Sequence, residues 1–160
     1  MPEVKENVQL LALDEAVEEV FRVMMNVACE PVESSSEPAS LTGEIMTAVV
    51  GMAGVLSGTF VLRMEEAVAL GMAELLTGME FSEIDGTVND ALGEVCNMLV
   101  GAWKGKTPAL ASACMLSVPT IVSGTSYHIY THRAPLHLER SFAFQGRRFW
   151  VSILGDSALE

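Results

Sequence analysis

The sequence predicts an α+β domain, an antiparallel-rich sheet with helices packed on one face. Three observations carry this. Apolar residues recur at helical spacing over three stretches, about residues 7–28, 65–77 and 85–106. Residues 41–64, and everything after 106, read instead as β-branched runs broken by glycine and proline. The order helix, two strands, two helices and a run of strands suits helices laid on a sheet. At 160 residues the natural count is a single domain with a real core, parsed as a helix at 7–28, a loop at 31–40 and a core at 41–155.

The first helix places Leu10, Leu13, Val17, Val20, Phe21, Met24 and Val27 on its apolar face. Asp14, Glu15, Glu18 and Glu19 form its wet face. PVESSSEPAS, residues 31–40, is a polar, proline-punctuated loop. TGEIMTAVV and VLSGTFVLRM read as a hairpin about a turn near Gly51–Gly54. GMAG is no phosphate loop, for it lacks the lysine and the strand-to-helix context. Glu65 to Thr77 is a second helix with Gly78 as its stop.

The third helix organises the rest. Asp85 is its N-cap, and Gly105 its stop, with Lys104 and Lys106 near the negative end of the dipole. Val88, Ala91, Leu92, Val95, Cys96, Leu99 and Trp103 make a broad apolar surface. What remains is a narrow stripe of Asp90, Gly93, Glu94, Asn97, Gly101 and Lys104, all within one sector at about 100° per residue. Glu94 and Asn97 are neighbours on it. Each glycine costs roughly 1 kcal/mol of helix stability against alanine, so two beside the polar pair suggest space kept for another molecule. Spacing alone favours a solvated surface, with glycines that permit close packing within the domain, and does not identify a site.

After Gly105, ASACMLSVPTIVSG, TSYHIYTHR, LHLERSFAF and RRFWVSILG are strand candidates, the last two forming a hairpin at Gln145–Gly146. His128, His132 and His137 do not make a metal site by spacing. On one strand the first two lie roughly 13 Å apart, too far for one ion. Cys29, Cys96 and Cys114 lack metal spacing, and their odd number fits reduced core thiols. A net charge of −12 argues against nucleic acid. The acids dominate before Asn97; Lys104, Lys106, Arg133, Arg140, Arg147 and Arg148 follow it. No apolar run reaches membrane length and MPEVKENVQ is no secretory signal, so the expected location is cytoplasmic without membrane insertion.

Glu94-x-x-Asn97, preceded four residues earlier by Asp90 and followed by Pro119, resembles the signature of the CheX/CheC/FliY family of chemotaxis phosphatases. The proline falls one residue earlier than the family spacing. The resemblance extends to TGEIMTAVVG, GTFVLRM and AVALGMAELLTG, covers roughly residues 7–155, and, with one motif, is most like CheX. It implies a CheX/CheC-like fold and hydrolysis of the phospho-aspartate on a CheY-like response-regulator receiver. By motif position, Asn97 orients the attacking water, Glu94 pairs with a receiver lysine, and Asp90 supports the interface. Gly93 and Gly101, from the helix wheel, allow close approach. The resemblance implies no cofactor of the chain's own, with Mg²⁺ on the partner receiver, and a homodimer formed through the sheets, with RRFWVSILG as a candidate edge. The alternative is a non-catalytic domain of the same fold that binds a receiver or a flagellar switch component.

Overall fold

The computed structural model describes residues 2–32, 43–125 and 135–156. The chain runs helix α1 (Pro2–Val20), a π-helical turn (Phe21–Met25), β1 (Glu30–Val32), β2 (Ile45–Gly54) and β3 (Gly58–Glu65). Helices α2 (Glu66–Thr77) and α3 (Gly86–Lys106) follow, then β4 (Cys114–Leu116), β5 (Thr120–Gly124), β6 (Leu136–Phe144) and β7 (Arg147–Gly155).

All strand pairings are antiparallel, in the order β1-β6-β7-β3-β2-β4, with β5 also on β2. Alternation along the strands sends Met46, Ala48, Val50, Phe60, Leu62, Phe149, Val151 and Ile153 into one core with the three helices. This is the expected α+β sheet with helices on a face. Ile45, Thr47, Val61, Ser141 and Trp150, which alternate to the opposite face, are buried too.

Several boundaries differ from the sequence reading. α1 begins at Pro2 rather than near residue 7, and the π turn widens its end. A π turn inserts a residue, so the apolar face passes from Phe21 to Met25. Met24, expected inside, is 50 % exposed. Asp14, expected on the wet face, takes two hydrogen bonds from the Arg140 guanidinium, at 3.0 and 2.7 Å, and ties α1 to β6. Pro31 and Val32 belong to an edge strand, where proline's missing N–H costs no ladder bond.

The β2–β3 hairpin turns at residues 55–57, not at Gly51–Gly54, which lie within β2. The single strand expected over ASACMLSVPTIVSG is two, because Pro119 cannot donate to the ladder. Ser117 bridges the break: its Oγ accepts from the Gly51 N–H at 2.8 Å and its own N–H donates to the Gly51 carbonyl at 2.9 Å. The β6–β7 turn is as expected, with Gln145 and Gly146 both at positive φ (49° and 75°), the primed geometry that suits strand twist. β7 lies between β6 and β3, so RRFWVSILG is an interior strand and not a sheet edge. TSYHIYTHR lies outside the described residues but for Thr125.

α3 packs on β2 between α1 and α2. All seven residues expected on its apolar face are buried. The Asp85 carboxylate accepts from the Val88 N–H at 2.9 Å. The helix runs one residue past Gly105; Thr107 closes it by donating its hydroxyl to the Trp103 carbonyl at 2.8 Å, and Pro108 prevents continuation. Asp85→Ala is expected to cost about 1 kcal/mol, a fall of about 2–4 °C in Tm by thermal denaturation.

Candidate functional site

The stripe on α3 is where the helix wheel put it, with one exception. Asp90 and Glu94 are exposed, and Asn97, Gly101 and Lys104 are half-buried. Gly93 is buried, and a Cβ added to it would meet Pro119 Cγ at 3.2 Å. Its missing side chain thus lets the β4–β5 connection lie against α3, an intramolecular reason for this glycine. The same contact fixes Pro119 one residue from Glu94, so the shortened spacing still brings the proline onto the helix. Gly101 is different: a Cβ there would meet nothing within 4 Å.

Glu94 and Asn97 stand on a helix whose opposite side is locked. Cys96, between them, is fully buried with its thiol 3.8 Å from the Ala48 carbonyl. Trp103, fully buried, donates its indole N–H to the Gln9 carbonyl at 3.3 Å. Among the described residues no side-chain hydrogen bond or ion pair engages Glu94 or Asn97. The result is a carboxylate and an amide held at fixed separation on a rigid base, with their polar atoms left for another molecule. Such a pair can accept from an ammonium group and both donate to and accept from a water.

Beside Asn97 the structure adds a feature the sequence did not indicate. An open groove of about 280 Å³ runs between the end of α1 and α3. Glu19, Val20, Val23 and Met24 line one side and Asn97, Met98, Gly101 and Ala102 the other. The Glu19 carboxylate is engaged by Lys106 at 2.6 Å. That ion pair, first through its hydrogen bond and then through charge, lowers the Glu19 pKa and raises that of Lys106. Apolar residues at helical spacing look like core in a sequence, so nothing flagged Val23 and Met24 as a wall.

The other candidate chemistries do not gather here. His137 Nε2 lies 3.2 Å from Glu139 Oε1, both exposed on β6, while His128 and His132 lie outside the described residues. Among the described residues no group of three His, Cys, Asp or Glu side chains is placed to hold a metal ion, and no helix is long and apolar enough to cross a membrane. All three cysteines are free and buried. Burial pushes the Cys96 thiol up to about 12, and burial together with the nearby Glu30 charge does the same for Cys29. Thiols so shifted are poor nucleophiles. Iodoacetamide at neutral pH is expected to leave Cys29 and Cys96 unmodified in the native protein and to label them in denaturant, as read by mass spectrometry.

The family model described as the chemotaxis phosphatase CheX matches residues 46–139, more than half of the chain. The chain belongs to the CheX family. Asp90, Glu94, Asn97 and Pro119 all fall within the matched span. The CheY-P phosphatase CheX of Thermotoga maritima is 28% identical over 85 residues, 52% of this chain and 55% of that protein. The match thus spans about half the length of that relative. Among solved structures, the chemotaxis protein CheX from Vibrio vulnificus has a TM-score of 0.75 at 20% identity, covering 92% of this chain and 95% of that one. The CheX–CheY–BeF₃–Mg²⁺ complex from Borrelia burgdorferi gives 0.70 at 21% identity, covering 91% and 96%. At these identities the likeness is one of fold. It agrees with the α+β architecture described above.

Proposed function

We propose that this CheX-family chain hydrolyses the phospho-aspartate of a CheY-like receiver domain. The observation that carries the reading is the uncommitted Glu94–Asn97 pair on an otherwise buried helix, at the positions of the family motif. A relative named as a CheY-P phosphatase and a related fold solved in complex with CheY support it.

The reaction transfers a phosphoryl group to water. A water oxygen attacks phosphorus, the acyl-phosphate P–O bond breaks, the aspartate leaves as carboxylate, and the water's proton ends on inorganic phosphate. Little covalent work falls to the protein, so rate comes from positioning and charge placement. Asn97 holds the water in line, an amide suiting the task because it donates and accepts without titrating. Glu94 anchors the complex on a receiver lysine and is not assigned as a general base. Asp90, exposed on the same stripe, supports that interface. The receiver supplies the Mg²⁺; this chain contributes no cofactor.

The assembly in this reading is a homodimer acting in the cytoplasm. Light scattering reads the assembly directly, and β7, being interior, is not its edge. The test of the function is the lifetime of phosphorylated receivers from the same organism, which the protein should shorten. Glu94→Ala should raise KM about tenfold or more with a smaller change in kcat, since it removes an anchoring ion pair rather than the water's ligand. A Glu94→Ala protein with unchanged KM would remove the anchoring role.

A further inference from the structure

We propose that the groove between the π turn of α1 and α3 is a specificity pocket that takes an apolar side chain of the receiver, one flanking its phospho-aspartate. The inference rests on the proposed function and adds to it a second, chemically distinct point of recognition.

Four observations lead there. Asn97 is itself part of the groove wall, so a partner that seats its phosphoryl group at Asn97 must also roof the groove. The wall opposite is apolar and partly bare: Val23 is 62 % exposed and Met24 50 %, beside a buried Val20. That exposure comes from the π turn, which sends Met25 into the core and leaves Met24 outside; such turns often accompany functional sites. Finally, the groove is open at Gly101, where a Cβ would meet nothing within 4 Å.

The chemistry of the lining selects the occupant. The one carboxylate in the lining, Glu19, is already paired with Lys106, so the groove offers no free charge for a basic side chain. At about 280 Å³ it falls at or below the small end of small-molecule pockets and suits a branched aliphatic or aromatic side chain. Two methionines and two valines around such a side chain bury apolar surface at the centre of the contact, beside a polar pair that fixes orientation. Receivers that differ in charge or bulk next to their phospho-aspartate are then discriminated by this groove rather than by Glu94 or Asn97.

Three variants test this in the full chain. Gly101→Leu projects a side chain into the groove, and leucine is the better helix former, so its Tm should not fall. Val23→Ser with Met24→Ser removes the apolar wall from exposed positions. Each is assayed on phosphorylated receivers from the same organism, and for binding to their beryllofluoride forms with Mg²⁺. Both groove variants should raise KM and the beryllofluoride-receiver Kd at least about tenfold, with kcat within about twofold of wild type. Asn97→Ala is the contrast, losing kcat while keeping affinity. Wild-type KM and Kd in both groove variants would overturn the groove assignment and leave the phosphatase reading standing. A changed oligomeric state at unchanged KM would assign the groove to a second copy of the chain and overturn it equally. A wild-type protein that neither shortens the lifetime of any of these receivers nor binds their beryllofluoride forms would overturn the phosphatase reading and this inference with it.

Discussion

Asn97→Ala is expected to lower kcat for receiver dephosphorylation by at least about a hundredfold, the scale on which one lost polar contact at the reacting centre acts. KM should stay within a few-fold, because the proposed anchoring ion pair at Glu94 and the proposed groove contact are both left in place. The fold should be indifferent. Asn97 is half-buried, its side chain has no hydrogen-bond partner among the described residues, and the residues that seat α3 lie on its other side. A Tm within about 2 °C of wild type is the corresponding expectation for a surface substitution. A variant that loses activity together with its Tm would point to a structural asparagine. One that turns over normally would show that another group positions the water.

Trp103→Ala is expected to have the largest effect on stability. Trp103 is the largest fully buried side chain in the protein. Its indole N–H also donates to the Gln9 carbonyl, joining α3 to α1. Truncation removes the buried surface, leaves a cavity and loses the indole hydrogen bond between the two helices, a combination that costs about 3–5 kcal/mol. Domains of this size have roughly 5–15 kcal/mol in total, so denaturant unfolding should move by a large fraction of the whole. The consequence reaches the site as well, because α1 supplies one wall of the groove and α3 the other. A loss below about 1 kcal/mol would mean that α1 and α3 are held together elsewhere.

The parts of the fold legible in the sequence were those specified by local chemistry. Asp85, the apolar positions of α3, and the Gln145–Gly146 turn each declare themselves through a cap, a period or a backbone preference. The misread parts depend on what packs against what. The π turn shifts Met24 outward and Met25 inward although strict helical spacing assigns the reverse, since a wheel assumes one residue count per turn throughout. β1 is three residues with a proline in it and exists only because β6 offers an edge. Gly93 and Gly101 sit alike on the wheel, yet the first is covered by Pro119 and the second opens onto the groove. A helix wheel cannot separate them, because the difference lies in a connection more than a dozen residues downstream. The groove was invisible for the same reason: its apolar wall has the pattern of core.

The most direct measurement is single-turnover decay of a phosphorylated receiver held below a saturating concentration of this protein, so that binding no longer limits the rate. The expected rate constant lies well above spontaneous decay for wild type, and returns to the spontaneous value for Asn97→Ala at equal occupancy. Decay at the spontaneous rate with a fully occupied wild-type protein would contradict it, and would make this chain a binder of receivers rather than a phosphatase.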